Sequence, residues 1–293
     1  MEASRQAIFD LVEEKRPSAS HATKKTYTSV LSSLAKKLEL DQINDFKTEK
    51  SRILRHVDGL TSGQTAKTTL SALFVITGEP EYREMMVSKA ERVRKEYKEQ
   101  KTNPERLKNM PSLEEIRAKY DEYKARIQQP RSSMDDWVDF FICAVCCTKF
   151  IPPRRNTDWT EMMVKNADKK RDNYMTQTDF VFNIFKTAKF KSEEERKVPI
   201  PEELKPFLNK WKKINESEYL LCNPQTGAKL TSSAMTKRVQ RIFGKKVGVD
   251  VIRSIYLSDL YKGLPHLEKL EEIADQMGHS VSSAMSYYVK KDD

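Results

Sequence analysis

The chain has 293 residues, 38% apolar and 33% charged, and its Lys and Arg outnumber Asp and Glu by 53 to 43, for a net charge of +10. That length has room for two ordinary domains with buried cores, and eight Gly and twelve Pro exclude low-complexity and glycine-rich β architectures. A sequence pI near 9.2 favours a polyanionic partner, nucleic acid foremost.

The first residues, Met1 to Arg5, lack the basic-then-apolar layout of a secretory signal. No apolar run approaches the roughly 20 residues that cross a bilayer, so the expectation is an intracellular protein with no membrane partner. From Ala22 to Leu38, Tyr27, Val30, Leu31, Leu34 and Leu38 recur at three- and four-residue spacing, which predicts an amphipathic helix. Phe46 to Leu60 repeats the pattern through Ile53, Leu54 and Val57, Ser62 to Thr77 through Leu70, Leu73, Phe74 and Ile76, and Glu81 to Gln100 reads as a charged, largely exposed helix. Together they predict a helical bundle within a first domain, 1–100.

Residues 101–111 are polar, proline-flanked and without periodicity, which suits a linker. Ser112, with Glu115 three positions on, has the form of a capping box, and a second domain, 112–293, starts there. Helices are expected at 113–128 and at 135–150; the second is apolar nearly all round and therefore central. Strands are expected at Trp159 to Val164, Asp179 to Phe185 and Lys197 to Ile200, with a charged tip before the last. Helices resume at 202–214, 231–246, 250–261, 266–277 and 281–290. The fold class is thus mainly α with a small β-sheet.

Cys143, Cys146 and Cys147 fall inside one apolar helical run and Cys222 stands alone, so they read as buried thiols in a reducing compartment. The histidines are His21, His56, His266 and His279, and none pairs with another His or Cys at a metal-site spacing.

The most informative stretch is the last. Gly278-His279 is followed by Tyr288, nine positions after the histidine. A phenol and an imidazole in a basic chain without a metal-ligand cluster suggest metal-free attack on a phosphodiester, which needs arginines to hold the phosphate. Arg154 and Arg155 lie in Pro152-Pro153-Arg154-Arg155-Asn156-Thr157-Asp158, and Arg253 lies in Asp250-Val251-Ile252-Arg253. Between them come Phe185-Lys186-Thr187-Ala188-Lys189 and Val198-Pro199-Ile200-Pro201. This order of Arg, Lys, Arg, Gly-His and Tyr resembles the tyrosine recombinase (phage integrase) family of DNA breaking-rejoining enzymes, and the match spans the chain from the second predicted domain onward.

The resemblance implies a helical N-terminal DNA clamp followed by a catalytic domain, duplex DNA as partner, assembly as a homo-oligomer (a tetramer on DNA), and no metal or cofactor. It implies location wherever the target DNA is, the nucleus in a eukaryotic host. Tyr288 would be the nucleophile, with Tyr287 pointing about 100° away on a helix. Arg155 and Arg253 would grip the non-bridging oxygens through paired guanidinium hydrogen bonds. Arg154 competes for the first role; the acid three residues on, Asp158, favours Arg155 and would support the site. Lys186, with Lys189 as the alternative, would protonate the leaving oxygen. His279 would hydrogen-bond the phosphate or move a proton.

One position departs from the family pattern: Asp250 stands where relatives usually carry histidine or lysine. A carboxylate can accept the tyrosine proton or orient Arg253, but it cannot donate to phosphate. Only Val289 to Asp293 follow the tyrosine, which leaves little chain for exchange between protomers. Two further readings stay open: a type IB topoisomerase-like enzyme, and a DNA-binding protein whose catalysis is weakened.

Overall fold

Ser4, Ser20 and Ser62 each accept a hydrogen bond from the backbone N–H three residues on, at 3.2 Å, and each starts a helix. Such a cap is worth about 1 kcal/mol. The computed structural model describes residues 3–98, 108–147, 149–185, 196–277 and 280–283. Two compact units divide the chain, one built on Met1–Lys101 and the other on Thr102–Leu264, with the helices after Pro265 grouped with the first.

The first unit comprises α1 (Arg5–Lys15), α2 (His21–Leu38), α3 (Asp45–Thr48), α4 (Lys50–Asp58), α5 (Gly63–Thr77) and α6 (Pro80–Lys98). Its core joins Ile8 and Val12 of α1 to Leu31, Leu34, Ile53, Val57, Leu70 and Leu73, the residues on the predicted apolar stripes. Tyr82 of α6 is fully buried and donates its hydroxyl to the Phe46 carbonyl at 2.6 Å, tying α6 to α3. Helix α1 lies outside the elements expected from the sequence, and the helix expected over 46–60 is broken at Glu49, between α3 and α4. The first unit also takes in α13 (Leu267–Gln276) and the short α14 (Val281–Ser283).

The second unit begins with α7 (Leu113–Ile127), whose expected capping box is present: Glu115 N–H donates to Ser112 at 3.1 Å, and Ser112 N–H to the Glu115 carboxylate at 2.7 Å. Then comes α8 (Met134–Cys146), buried from Trp137 to Cys146. It is central because most of its surface meets apolar neighbours: Trp137 stacks on Trp211 at 6.0 Å between centroids, and Phe140 meets Tyr120 and Phe207. After α9 (Asn156–Thr160) come β1 (Met162–Met163), β2 (Asn173–Met175), β3 (Asp179–Phe182) and β4 (Arg196–Pro199), in sheet order β1-β2-β3-β4. The β1–β2 pair is parallel, and β2–β3 and β3–β4 are antiparallel. The unit closes with α10 (Lys205–Ile214), α11 (Ser232–Phe243) and α12 (Val249–Leu260).

The chain is therefore mainly helical with a small sheet, as expected, but its strands differ in detail. Trp159 is not in a strand: residues 156–160 form α9, and β1 is confined to Met162 and Met163. A short buried apolar run fits either state, and the Arg155 backbone, extended at φ −67° and ψ 153°, opens a helical turn here. Strand β2 lies outside the expected strands as well; it has three residues and follows a polar stretch. The helix expected over 135–150 ends at Cys146.

Candidate active site

The predicted phosphate-gripping residues come from two helix starts. Pro152 and Pro153 cannot continue a helix, since proline lacks the N–H. The chain turns there, and Arg155 becomes the N-cap residue of α9 without using its side chain as a cap. Arg253 lies in the second turn of α12, where Val251, Ile252 and Ile255 are buried and fix which face points inward.

Asp158, the third residue of α9, is 3% exposed. Its Oδ2 accepts from Arg154 Nε at 2.9 Å, whereas its Oδ1 is buried without a hydrogen-bond partner among the described residues. Burial pushes the Asp158 carboxyl above the usual range, and three guanidinium groups, Arg154, Arg155 and Arg253, act in the opposite direction. Two arginines far apart in sequence thus bear on one carboxylate, and with Arg154 already paired to it, the positive charge in excess is that of Arg155 and Arg253. Among the described residues, neither of these side chains has a hydrogen-bond or ion-pair partner.

Arg154 is held differently. Its guanidinium lies 3.8 Å from the centroid of the Phe182 ring and 6.0 Å from that of Phe185. Burial pulls its pKa below the usual arginine value, with the Asp158 carboxylate opposing. Its Nε is thus committed to Asp158 and one face of its guanidinium to the Phe182 ring, whereas Arg155 has no such partner among the described residues.

The scaffold under this turn is polar and well paired. Asn156 Nδ2 donates to the Ser232 carbonyl at 3.1 Å and to Thr236 Oγ1 at 2.9 Å, which ties α9 to α11. Asn173, fully buried, donates to the Asp158 and Ile184 carbonyls and accepts from the Asn183 and Ile184 N–H groups. It locks α9 to the end of β3. Trp159 packs edge-on against Phe180 and Phe182 beneath it.

Asp250 has a local role in the first turn of α12. A Cβ placed on Gly248 would stand 2.6 Å from Asp250 Oδ1, so the carboxylate folds back over the helix start, where the helix dipole favours negative charge. Lys186, Lys189, His279, Tyr287 and Tyr288 lie outside the described residues. Sequence reasoning missed Phe182, Phe185, Arg196 and Asn173; two phenylalanines three apart ahead of Lys186 were the available signal. A concavity of about 620 Å³ lined by Met134 and by residues 214–219 and 222–227 holds none of the predicted site residues.

No family model matches the sequence, and no curated protein matches it. Among solved structures the chain is similar to the crystal structure of XerA recombinase, with a TM-score of 0.35 and 15% identity over 98% of this chain and 94% of that one. At that TM-score the backbones differ too much for the likeness to assign residues.

Proposed function

We propose that this protein cuts and rejoins duplex DNA through a 3′-phosphotyrosyl intermediate, as a site-specific recombinase or integrase. The observation that carries the reading is the joint action of Arg155 and Arg253 on the buried Asp158 carboxylate. In this reading Arg155 and Arg253, which have no hydrogen-bond or ion-pair partner among the described residues and act on a carboxylate that Arg154 already pairs with, offer positive charge to an anion, and a DNA phosphate is the anion that suits a +10 chain.

In this reading the Tyr288 hydroxyl oxygen bonds to phosphorus while the bond from phosphorus to the 5′ oxygen breaks. His279 takes the phenol proton, and Lys186 gives a proton to the departing oxygen. Arg155 and Arg253 hold the non-bridging oxygens, where charge concentrates in the transition state. The phosphodiester bond is conserved in the tyrosyl link, so a second 5′ hydroxyl reverses the step on a new strand without ATP. Duplex DNA is the partner, and exchange of strands between two duplexes calls for a homo-oligomer, a tetramer on DNA.

The test is a duplex nicked beside the cleavage position, so that the released fragment diffuses away and the covalent complex accumulates. Wild type and Tyr287→Phe should give a DNA-linked band on a denaturing gel, and Tyr288→Phe should bind DNA without giving one. Arg155→Ala and Arg253→Ala should each slow formation by at least about a hundredfold, the usual loss when a donor to developing charge is removed. Salt-sensitive binding with no adduct from wild type would instead identify a DNA-binding protein of weakened catalysis.

A further inference from the structure

Strands β3 and β4 are the two stems of a hairpin, and the stack around Arg154 joins both to the Arg155 turn. Phe182 pairs with Arg196 across the sheet, and residues directly opposite in an antiparallel pair share a face. On that face Arg154 lies over Phe182 at 3.8 Å and reaches Phe185 at 6.0 Å, while the Arg196 guanidinium lies over Phe185 at 4.7 Å. The order is Phe182, Arg154, Phe185, Arg196: ring and guanidinium alternate. The two cations repel, and the Arg196 charge lowers the Arg154 pKa further, so an aromatic face between them and the Asp158 carboxylate beside Arg154 are what make the arrangement tolerable.

We propose that this alternating stack is a positioning device that sets the hairpin stems against the Arg155 turn, so that proton delivery to the leaving 5′ oxygen is aligned with the phosphate that Arg155 grips. The proposal rests on the phosphotyrosyl reading above. In this proposal Arg154, Phe185 and Arg196 are positioning residues that act through the residues they hold. The stack meets both requirements of such a device. Its planar members fix direction as well as distance, which a flexible lysine ammonium cannot. It also spans from the residue next to Arg155 to the residue next to Lys186.

The experiment compares cleavage of the nicked duplex with cleavage of the same duplex carrying sulfur in place of the bridging 5′ oxygen. A thiolate leaves without being protonated, so the sulfur substrate removes the need for an acid and leaves the need for Arg155 intact. Phe185→Leu keeps an apolar side chain away from the buried Asp158 and removes only the aromatic face; Phe185→Trp restores a face. On the oxygen substrate Phe185→Leu should cleave about tenfold more slowly, a part of the 10²- to 10⁴-fold that general-acid help supplies, and Phe185→Trp should recover most of that loss. On the sulfur substrate Phe185→Leu should match wild type within about twofold, whereas Arg155→Ala should stay slow on both. Arg154→Lys, which keeps the charge and loses the plane, should follow Phe185→Leu. Equal slowing of Phe185→Leu on both substrates, or no slowing on either, would overturn the proposal. Absence of any adduct from wild type on both duplexes would instead remove the phosphotyrosyl reading, and this proposal with it.

Discussion

Asp139 is the point at which α8 is fastened to α11, and its removal has a calculable effect. The carboxylate, 4% exposed, accepts from Arg238 Nη1 at 2.8 Å and also pairs with Arg241. Arg238 has a side chain only 13% exposed and a second partner in Asp135, whereas the Arg241 side chain is 57% exposed. An exposed pair is worth about 0–1 kcal/mol, but stranding a buried charge costs about 3–5 kcal/mol. Because Arg238 keeps Asp135, Asp139→Ala should cost less than full stranding, about 2–3 kcal/mol. Asp135→Ala, which leaves the buried pair intact, should cost about 1 kcal/mol, and Arg241→Ala less still. All three tryptophans, Trp137, Trp159 and Trp211, lie in this unit, so urea unfolding followed by tryptophan fluorescence reports on it alone. The reasoning is refuted if Asp139→Ala proves no more costly than Asp135→Ala, which would mean that burial does not set the value of these pairs.

Three further outcomes are expected. Gly78 closes α5 at φ 73°, with no neighbouring atom within 4 Å of where a Cβ would stand, so Gly78→Ala should lower stability by about 1 kcal/mol through backbone strain alone, while Gly59→Ala, at φ −74°, should not; thermal melts by circular dichroism compare them. Burial first and Lys37 second hold the His56 imidazole below its ordinary 6.5. As pH falls the unfolded chain therefore takes up the proton first, so stability tied to neutral His56 is complete above 6.5 and is lost as pH drops through the lowered folded value; amide exchange in α4 should speed up on acidification, and less so in His56→Gln. Burial raises the thiols of Cys143, Cys146, Cys147 and Cys222, so Ellman's reagent should react with them only after denaturation, and a fast-reacting thiol in the native protein would contradict their placement.

The helices legible in the sequence were those whose apolar spacing and caps agree. Ser112 with Glu115 announced α7, and the stripe through Leu31, Leu34 and Leu38 announced α2. Helix α1 carries the same signals more faintly, with Ser4 as cap and Ile8 and Val12 as its buried pair, but its remaining residues are mostly charged or polar. Around Trp159 a buried run was too short for periodicity to choose between strand and helix. At the site, the family resemblance singled out Arg155 and Arg253, and both act electrostatically on the Asp158 carboxylate. What no spacing could reveal was which of two adjacent arginines is already occupied, because that depends on Phe182, which reaches Arg154 only through the folding of the sheet.

That division of labour implies a result for the acid between the arginines. Asp158 pairs with Arg154, which under the proposed function keeps that side chain from competing for the phosphate, although burial alone makes the charged carboxylate unfavourable. Asp158→Asn preserves shape and leaves an oxygen to accept from Arg154, but it removes the charge that offsets three guanidinium groups. Binding of duplex DNA should therefore be as tight as in wild type or tighter, since each added positive charge near the backbone favours association. Cleavage should nevertheless slow by about tenfold or more, because Arg154 then competes with Arg155 for the same oxygens and the phosphate settles off the line of attack. Filter binding and single-turnover adduct formation on one preparation measure the two effects together. A variant that binds and cleaves like wild type would show that the Arg154–Asp158 pair is only a packing feature of the turn, and a variant that loses binding would show that Asp158 holds the turn itself in place.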